Sequence, residues 1–435
     1  MRKRAIFAGA IAAAIALVAA GCSGSGGSGD SASGSTITYW ASNQGTSLDN
    51  DKQVLTPVLN DFTKQTGIKV KLEVIGWNDL QTRIQTAVTS GQGPDVLNIG
   101  NTWAASLQAT GAFMPFDDAA MKSIGGSDKF VKTALETGGV AGKDVTSVPL
   151  YGLAYGLYYN KAMFTAAGVQ PPTTWEELVT DAKALTNGSQ YGFSLAAGSY
   201  TENAHFAFIN AAQNGAEFFD SKGNPTFTTS GAVDGIKRYL DLMQTDKVVN
   251  TSNAQYDNGV QAVNDFATGK VAMILSQNNA DSSINANGMK TDAYGVVPFP
   301  APKGGEAVAS HVAGINLSIM KNTKNKDAAL KFVKYMTSAD TQTTLGKPYA
   351  TLPVLNGAKA NFTDNAEEAA TFQKIYNTMS KPLPLVPAED QFENTVGKAM
   401  NDMFAKIATG GTVSDSDIKS ALQNAQDQVK QSMGG

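Results

Sequence analysis

Hydrophobic residues recur along this chain at two different spacings, which alternate from one segment to the next. In "QVLTPVLNDFTKQTG", apolar residues stand three or four positions apart, which predicts a helix that stops at Gly67. The next segment, "IKVKLEVIG", alternates apolar and polar residues and predicts a strand that is buried on one face. The chain therefore begins with elements of both types, close together in sequence.

The neighbouring segments extend this alternation. "TITYW" and "PDVLNIG" are typical of strands, and "DLQTRIQTAVTSGQG" has the apolar spacing of a helix. Together they form a β-α-β-α-β series. Such a series predicts a parallel sheet with helices on both faces.

The second half of the chain repeats the mixture of strands and helices. "VPLYGLAYGLYYNKAMF" predicts a long extended segment, and "FATGKVAMIL" and "HVAGINLSIM" each predict a buried strand. Helices are predicted in "PPTTWEELVTDAKALT", with a capping box from Thr174 to Glu177, in "GAVDGIKRYLDLM", and after Ser414.

The N-terminus differs from the rest in composition. Three basic residues precede an apolar run over residues 5–20, which is shorter than the ~20 residues of a spanning helix. This pattern predicts a signal peptide over 1–21, with an uncleaved membrane anchor as the alternative. The small residues before Cys22 resemble the lipobox of bacterial lipoproteins, which implies that Cys22 is the lipidation site. Residues 22–35 are rich in Gly and Ser and predict a flexible spacer.

Composition and charge exclude several classes of function. The chain has 34 basic and 38 acidic residues, and no basic cluster that would favour nucleic acid. Cys22 is the sole cysteine and there are only two histidines, so we expect no disulfide and no metal site. No cofactor is expected either, since no P-loop sequence is present.

The predicted exported chain also lacks a GxSxG motif, and its acidic pairs are immediate neighbours whose side chains point apart. We therefore expect that the protein is not an enzyme. Carboxylates that are distant in sequence can still meet in a fold, so a secreted carbohydrate-active enzyme stays open as an alternative.

Several stretches, in order, carry a family resemblance: "DFTKQTGIKV", "GQGPDV", "GAFMPFDD", "VPLYGLAYGLYYNKAMFTAAG", "PPTTWEEL", "NDFATGKVAM" and "NKDAALKFVKYMTSADTQ". The chain resembles the extracellular solute-binding proteins of ABC importers, in the branch of maltose- and other sugar-binding proteins. The resemblance implies an α/β, two-lobe periplasmic-binding-protein fold. Each lobe would hold a central, mostly parallel sheet flanked by helices, with the ligand cleft between the lobes.

The resemblance also implies an organisation and a function. Lobe 1 would comprise 36–147 plus 299–348, and lobe 2 would comprise 151–296 plus 352–435. The protein would capture a mono- or oligosaccharide by cleft closure and deliver it to the permease subunits of an importer. We expect an extracytoplasmic monomer that reaches the cell membrane only through lipidated Cys22. A receptor for a non-sugar polar solute is the alternative.

Candidate ligand-binding residues have amide, carboxyl, imidazole or aromatic side chains, which suit sugar hydroxyls and apolar sugar faces. The resemblance places them at the cleft: Trp40, Asn43, Gln44, Asn101, Trp103, Tyr151, Glu202, His205, Asn278, Asn279, His311 and Gly314. Other interpretations stay open for several of them. The tryptophans would serve equally in a core, Asn43 and Gln44 in a solvated loop, and His205 on the surface. Tyr151 suits a hinge, and Gly314 a close backbone approach.

One departure from the family pattern bears on the ligand. After "GKVAM", the family usually has a tryptophan that stacks on the sugar, whereas this chain has Asn278 and Asn279. The change favours a smaller or more polar ligand than a maltodextrin. Trp77 or Tyr200 could supply the missing aromatic ring.

Overall fold

The computed structural model of the chain describes residues 34–433, apart from the side chain of Asn78. Its strands are β1 Thr36–Ser42, β2 Lys69–Ile75, β3 Val96–Gly100, β4 Ser147–Leu153, β5 Tyr155–Asn160, β6 Tyr191–Ser194, β7 Val271–Gln277, β8 Tyr294–Val297, β9 Ser310–His311, β10 Ala313–Ile319 and β11 Ser380–Lys381. The predicted signal peptide and Cys22 lie outside the described residues.

The helices alternate with these strands through most of the chain. They are α1 Leu48–Thr66, α2 Trp77–Ser90, α3 Ala104–Ala109, α4 Asp118–Ser123, α5 Lys132–Glu136, α6 Lys161–Ala167, α7 Trp175–Ala184, α8 Tyr200–Gln213, α9 Ser230–Gln244, α10 Gly259–Ala267, α11 Ala280–Ala286, α12 Lys326–Met336, α13 Ala339–Tyr349, α14 Ala366–Thr378, α15 Glu389–Ala408 and α16 Asp415–Met433. Among residues 34–433, no helix combines the length and apolar character needed to cross a membrane.

Local signals in the sequence fix several of these boundaries. Gly67 ends α1 in a left-handed conformation, with φ of 73°, which a residue with a Cβ rarely adopts. The predicted capping box is confirmed, because Thr174 accepts from the N–H of Glu177 while the Glu177 side chain accepts from the N–H of Thr174. These caps satisfy backbone groups that helix ends leave without partners.

Two large sheets organise the fold, each with its own flanking helices, and β9 pairs with β11 in a small third sheet. The first sheet has the strand order β2-β1-β3-β10-β4, and the second has the order β6-β7-β5-β8. We call the first sheet with its helices lobe 1 and the second with its helices lobe 2. The fold class is confirmed, while the residue boundaries proposed for the lobes stay a prediction.

The sheets are mixed rather than mostly parallel, which corrects the prediction. β1 runs parallel to β2 and β3, but β10 is antiparallel to both β3 and β4. In lobe 2, β6 and β7 are parallel and β5 is antiparallel to β7 and β8. In lobe 1, β10 is antiparallel to β3 because it returns to the sheet after the chain has passed through lobe 2. It enters from the edge where β1 to β3 end.

Alternation along β1 explains why lobe 1 carries helices on both faces. Tyr39 packs in one core cluster with Phe62 of α1, whereas Trp40 packs in another with Leu80 of α2. Successive side chains of a strand point to opposite faces, so one strand supports two hydrophobic layers. In lobe 2, α8 is buried on nearly every side and packs between α9 and α15.

The predicted long extended segment is two strands that belong to different sheets. β4 pairs with β10 in lobe 1, and β5 pairs with β7 in lobe 2, with only Ala154 between them. Gly152 and Leu352 exchange two backbone hydrogen bonds of 2.8 Å beside this crossing. We call the region around Ala154 the hinge.

A substitution at Gly314 tests how tightly the hinge end of β10 is packed. A Cβ at this position would lie 2.6 Å from the carbonyl oxygen of Tyr151. We therefore expect Gly314→Ala to lower the free energy of unfolding by about 1–3 kcal/mol through overpacking. Gly76→Ala is the matched control, because its φ is −65° and no atom lies within 4 Å of the added carbon. Equal melting temperatures for the two variants would contradict this account.

Candidate functional site

The carboxyl ends of three parallel strands form the edge of lobe 1 that adjoins the hinge. A loop follows β1 at Asn43, Gly76 follows β2, and a 3-10 turn, Asn101–Trp103, follows β3. In open α/β sheets, ligands bind beyond the carboxyl ends of the strands. This edge is therefore the part of lobe 1 where a site is expected.

Asp51 organises the loop after β1. Its carboxylate is fully buried and accepts from the side-chain amide of Asn43 at 2.5 Å, from the N–H of Gly45 at 2.8 Å and from the N–H of Gln44 at 3.2 Å. The Asn43 amide nitrogen is thus used to hold the loop. The side chains of Asn43 and Gln44 are both half-buried.

The two candidate tryptophans occupy different environments. Trp40 is 9% exposed, packs in the core beneath α2, and has the Arg83 guanidinium 4.6 Å from its ring centroid. Trp103 is half-buried and meets Trp77 edge-to-face at 5.6 Å, and Trp77 is 37% exposed. Trp40 is therefore a core residue of lobe 1, whereas Trp77 and Trp103 form an aromatic pair on its edge.

Tyr151 and Gly314 lie inside the lobe 1 sheet, next to the hinge. Tyr151 is buried and its ring centroid is 6.0 Å from that of Tyr349. Burial holds the pKa of the Tyr151 hydroxyl well above its ordinary value. Gly314 pairs with Gly152 across the ladder.

Asn278 holds the hinge with its side chain. The fully buried amide accepts from the N–H of Ala154 at 2.8 Å and donates to the carbonyl of Ala350. The side-chain oxygen and nitrogen of Asn278 are therefore both bonded to backbone, one at the crossing residue Ala154 and the other at Ala350. Asn279 follows it and is half-buried at the start of α11.

Both histidines lie in one buried cluster beside the hinge. His205 contacts the Tyr155 hydroxyl through Nδ1 at 3.0 Å and the Glu393 carboxylate through Nε2 at 3.1 Å. The His311 ring centroid is 4.1 Å from that of His205, and His311 Nδ1 is buried with no hydrogen-bond partner. Burial, and secondarily His205, holds the pKa of His311 well below its usual value, so this ring is neutral at pH 7.

Glu202 lies on α8, near the start of α10. Its carboxyl oxygens approach Gly259 closely, and the N–H of Gly259 lowers its pKa. Burial acts in the opposite direction and is the larger effect, so the pKa of Glu202 is raised to about 7. This carboxyl therefore changes charge near neutral pH.

A narrow crevice separates the edge of lobe 1 from the start of α15. It has a volume of about 10 Å³, and its lining residues come from both lobes and the hinge: Asn101, Thr102, Ala105, Thr137, Val312, Leu383, Pro384, Leu385 and Glu389. Asn101 closes one side by donating to the carbonyl of Val312 at 2.8 Å. The volume is about that of a single water molecule, so a larger ligand needs the lobes to separate.

Glu389 is the acidic member of this crevice. It is the first residue of α15, it is 1% exposed, and neither carboxyl oxygen has a hydrogen-bond partner. Burial, followed by the neighbouring carboxyls of Glu393 and Asp390, holds the pKa of Glu389 well above its usual value. A buried carboxyl without donors destabilises the folded state, so its position suits a partner from outside the chain.

The sequence analysis did not identify Tyr155, Glu389 or Glu393. The two glutamates are four residues apart on α15, directly after "KPLPLVP", and this spacing places them on one helix face. That signal was available in the sequence. No pattern, however, indicated that α15 reaches lobe 1. Within residues 34–433, no group of three or more ligating side chains could hold a metal ion.

Comparison with known proteins identifies the family. Residues 44–343 match the family model described as bacterial extracellular solute-binding protein. The chain belongs to this family.

Relatives of this solute-binding protein cover most of its length. The multiple sugar-binding protein of Streptococcus mutans is 28% identical over 317 residues, which are 70% of this chain and 71% of that protein. The diacetylchitobiose-binding protein of Streptomyces coelicolor is 24% identical over 371 residues, which are 83% of this chain and 82% of that protein.

A solved structure shows the same fold. An ABC transporter solute-binding protein from Thermotoga lettingae, bound with α-D-tagatose, superposes with a TM-score of 0.77 at 22% identity. The match covers 91% of this chain and 100% of that one. The two-lobe architecture of this solute-binding protein is therefore that of the periplasmic binding proteins.

The stability of the solute-binding protein should depend on pH through Glu389. The folded state binds this proton more tightly than the unfolded chain, so protonation supports folding at acid pH. This stabilisation of the folded state is lost as the pH rises from about 4.3, the ordinary pKa of a Glu carboxyl, through the raised pKa of Glu389. Glu389→Gln removes the charge and keeps the shape.

We expect Glu389→Gln to melt near the wild-type temperature at pH 4 and at a higher temperature than the wild type at pH 7. The gain at pH 7 should correspond to about 1–3 kcal/mol in the free energy of unfolding. Glu367→Gln, at an exposed position on α14, is the control and should follow the wild type at both values. Calorimetry at the two pH values measures this. A Glu389→Gln variant that is less stable at pH 7 would contradict the assignment of an unpaired buried carboxyl.

The two tryptophans should differ in their effect on stability. Trp40→Ala removes a core side chain and should lower the free energy of unfolding by about 3–5 kcal/mol. Trp103→Ala removes a half-buried ring at the edge and should cost less than half as much. Denaturant titration of both variants measures the difference, and equal losses would place Trp103 in the core.

Proposed function

We propose that the protein captures a carbohydrate between its two lobes and delivers it to the permease subunits of an ABC importer. The observation that carries the proposal is the interlobe crevice, which is lined by the buried carboxyl of Glu389 without a hydrogen-bond partner. Sugar hydroxyls both donate and accept hydrogen bonds, so a sugar can satisfy this buried carboxyl.

The chemistry at the edge of lobe 1 supports a sugar. Trp77 and Trp103 offer an exposed aromatic surface, which suits the apolar face of a sugar ring. Asn101 and Thr102 add polar atoms beside that pair. The names of the streptococcal and streptomycete relatives, and the tagatose bound by the Thermotoga protein, point to the same class of ligand.

Delivery to the permease rests on hinge motion. Domain closure about a hinge is known for periplasmic binding proteins, and the single residue between β4 and β5 gives this chain a short crossing. A ligand shifts an open–closed equilibrium only by its difference in affinity for the two states. Side chains from both lobes line the crevice, so its ligand contacts would form together only on closure. We propose that the receptor acts as a monomer.

A second candidate is a receptor for a non-sugar polar solute. The observation that favours it is Asn278, whose amide is bonded to the hinge. The family resemblance implies a stacking ring at this position, which this chain lacks. Catalysis on a carbohydrate is a further alternative. It predicts a chemical change in the ligand, whereas a receptor returns its ligand intact.

A titration of the exported chain with a panel of sugars, followed by intrinsic tryptophan fluorescence, tests the proposal. We expect at least one sugar to change the fluorescence saturably and to be recovered unchanged. Burial of an aromatic face contributes about 1.5–3 kcal/mol, and about 1.4 kcal/mol is tenfold in affinity. Trp103→Ala should therefore weaken binding by about ten- to a hundredfold while retaining most of its stability.

Three outcomes would count against the proposal. If no sugar bound, a non-sugar receptor would be favoured, and release of a product would favour an enzyme. Full affinity in a folded Trp103→Ala variant would remove that residue from the site.

We further propose that Cys22 carries a lipid and anchors the receptor at the cell membrane. The support is its position after Ala-Ala-Gly, at the end of a basic and apolar leader and before a Gly/Ser spacer. One acyl chain binds membranes only marginally, but the diacylglycerol of a lipoprotein supplies two chains. The spacer would let the anchored receptor reach the permease.

Cys22→Ala should move the protein from the membrane fraction to the soluble fraction in cell fractionation. Ser25→Ala, three residues later in the spacer, is the matched control and should stay with the membrane. Membrane retention of a correctly processed Cys22→Ala protein would exclude this anchor.

A further inference from the structure

The carboxyl of Glu389 is buried but has no hydrogen-bond partner. It is buried at the interlobe crevice, and none of the N–H groups at the start of α15 reaches it as a hydrogen-bond donor. A buried charge without a counter-charge carries a large desolvation penalty, whereas the same charge opposite a cation is stabilised. The missing partner is therefore a hydrogen-bond donor, and a charged donor fits best.

The groups around Glu389 do not supply a positive charge. The titratable groups that act on it are the carboxyls of Glu393 and Asp390 on α15. Glu393 in turn contacts His205, which contacts the Tyr155 hydroxyl and stacks near His311. Within the described part of the chain, neither Lys nor Arg lines the crevice. Lys398, farther along α15, lies over the Tyr200 ring with its Nζ 5.8 Å from the centroid.

The neighbouring acids oppose ionisation of Glu389 further. Glu393 is already paired with His205, and Asp390 adds a third carboxyl within the first turns of the helix. The pKa of Asp390 is raised as well, chiefly by burial. A neutral ligand would not favour the ionised form of Glu389, whereas a cationic group would lower the free energy of its carboxylate.

We propose that Glu389 determines ligand specificity, and that the ligand is an amine-bearing sugar whose protonated amino group pairs with the Glu389 carboxylate. The inference rests on the proposed function, since it names the class of sugar that the same site receives. Hydrogen bonds between an ammonium group and a carboxylate are roughly twice as strong as neutral ones. The sugar hydroxyls face the polar groups of lobe 1, including Asn101 and Thr102.

This assignment separates two roles on one helix face. Glu393 is held by His205 and belongs to the protein's own hydrogen-bond network, so it positions the start of α15. Glu389, one turn earlier, lies beside the Glu393 carboxyl, has no donor within hydrogen-bond distance and lines the crevice. A variant of Glu389 should therefore change ligand preference, whereas removal of Glu393 would disturb the histidine pair.

Matched sugar pairs that differ only at the amino group test the proposal. Binding of glucose and glucosamine, galactose and galactosamine, and mannose and mannosamine is measured by calorimetry on the exported chain at pH 7. N-acetylglucosamine, which keeps the substituent and loses its charge, completes the series. The proteins are the wild type, Glu389→Gln and the control Glu367→Gln.

We expect at least one amino sugar to bind the wild type ten times or more tightly than its neutral and acetylated counterparts. Glu389→Gln should lose that preference by at least tenfold, and Glu367→Gln should keep it. Because Glu389→Gln is expected to be more stable than the wild type at pH 7, unfolding would not explain the loss.

The opposite results separate failure of this inference from failure of the proposed function. Sugars that bind equally well with and without the amine, or a preference that survives in Glu389→Gln, would overturn the inference and leave the sugar receptor intact. If neither amino nor neutral sugars bound, the proposed function would fall, and this inference with it.

Discussion

One buried amide ties together two chain segments at the crossing between the lobes. Asn278 joins Ala154, which separates the two sheets, to Ala350, which ends α13. Ala350 has a φ of 46°, a left-handed conformation that is unfavourable for a residue with a Cβ. A carbonyl held at such a position keeps its orientation only while a partner fixes it. The hinge, and the side chains that it directs toward the crevice, are built around that contact.

The two walls of the crevice satisfy their polar groups to different degrees. In lobe 1, Asp51 collects the donors of the loop after β1, and Asn101 is bonded to Val312, so this wall is ordered without a ligand. In lobe 2 and the hinge, Glu389 and His311 retain buried atoms without partners. Under the proposed function, pre-organisation of one wall would lower the entropy cost of binding, and the unsatisfied groups of the other would favour the ligand-bound state.

The buried cluster of His205, Tyr155, His311 and Glu393 connects these features. It joins α8 and α15 of lobe 2 to the strand that returns through the hinge. Polar networks in a low-dielectric interior are stabilising when they are complete and costly when they are not. Under the proposed function, a ligand that completed this network would act on the hinge as well as on the crevice.

The sequence by itself determined the local elements and the fold class. Periodicity indicated β1 to β3 with α1 and α2, and cap residues such as Gly67 and Thr174 marked helix ends, because these features depend on neighbours within a few positions. Resemblance to a family supplied the two lobes. The sequence did not determine that the sheets are mixed, that Trp40 is core while Trp103 lies at an edge, or that Asn278 holds the hinge. Only the tertiary structure brought Glu389 to lobe 1, more than 280 positions from Asn101 in sequence. Burial and long-range pairing depend on how whole elements pack, and no local pattern encodes them.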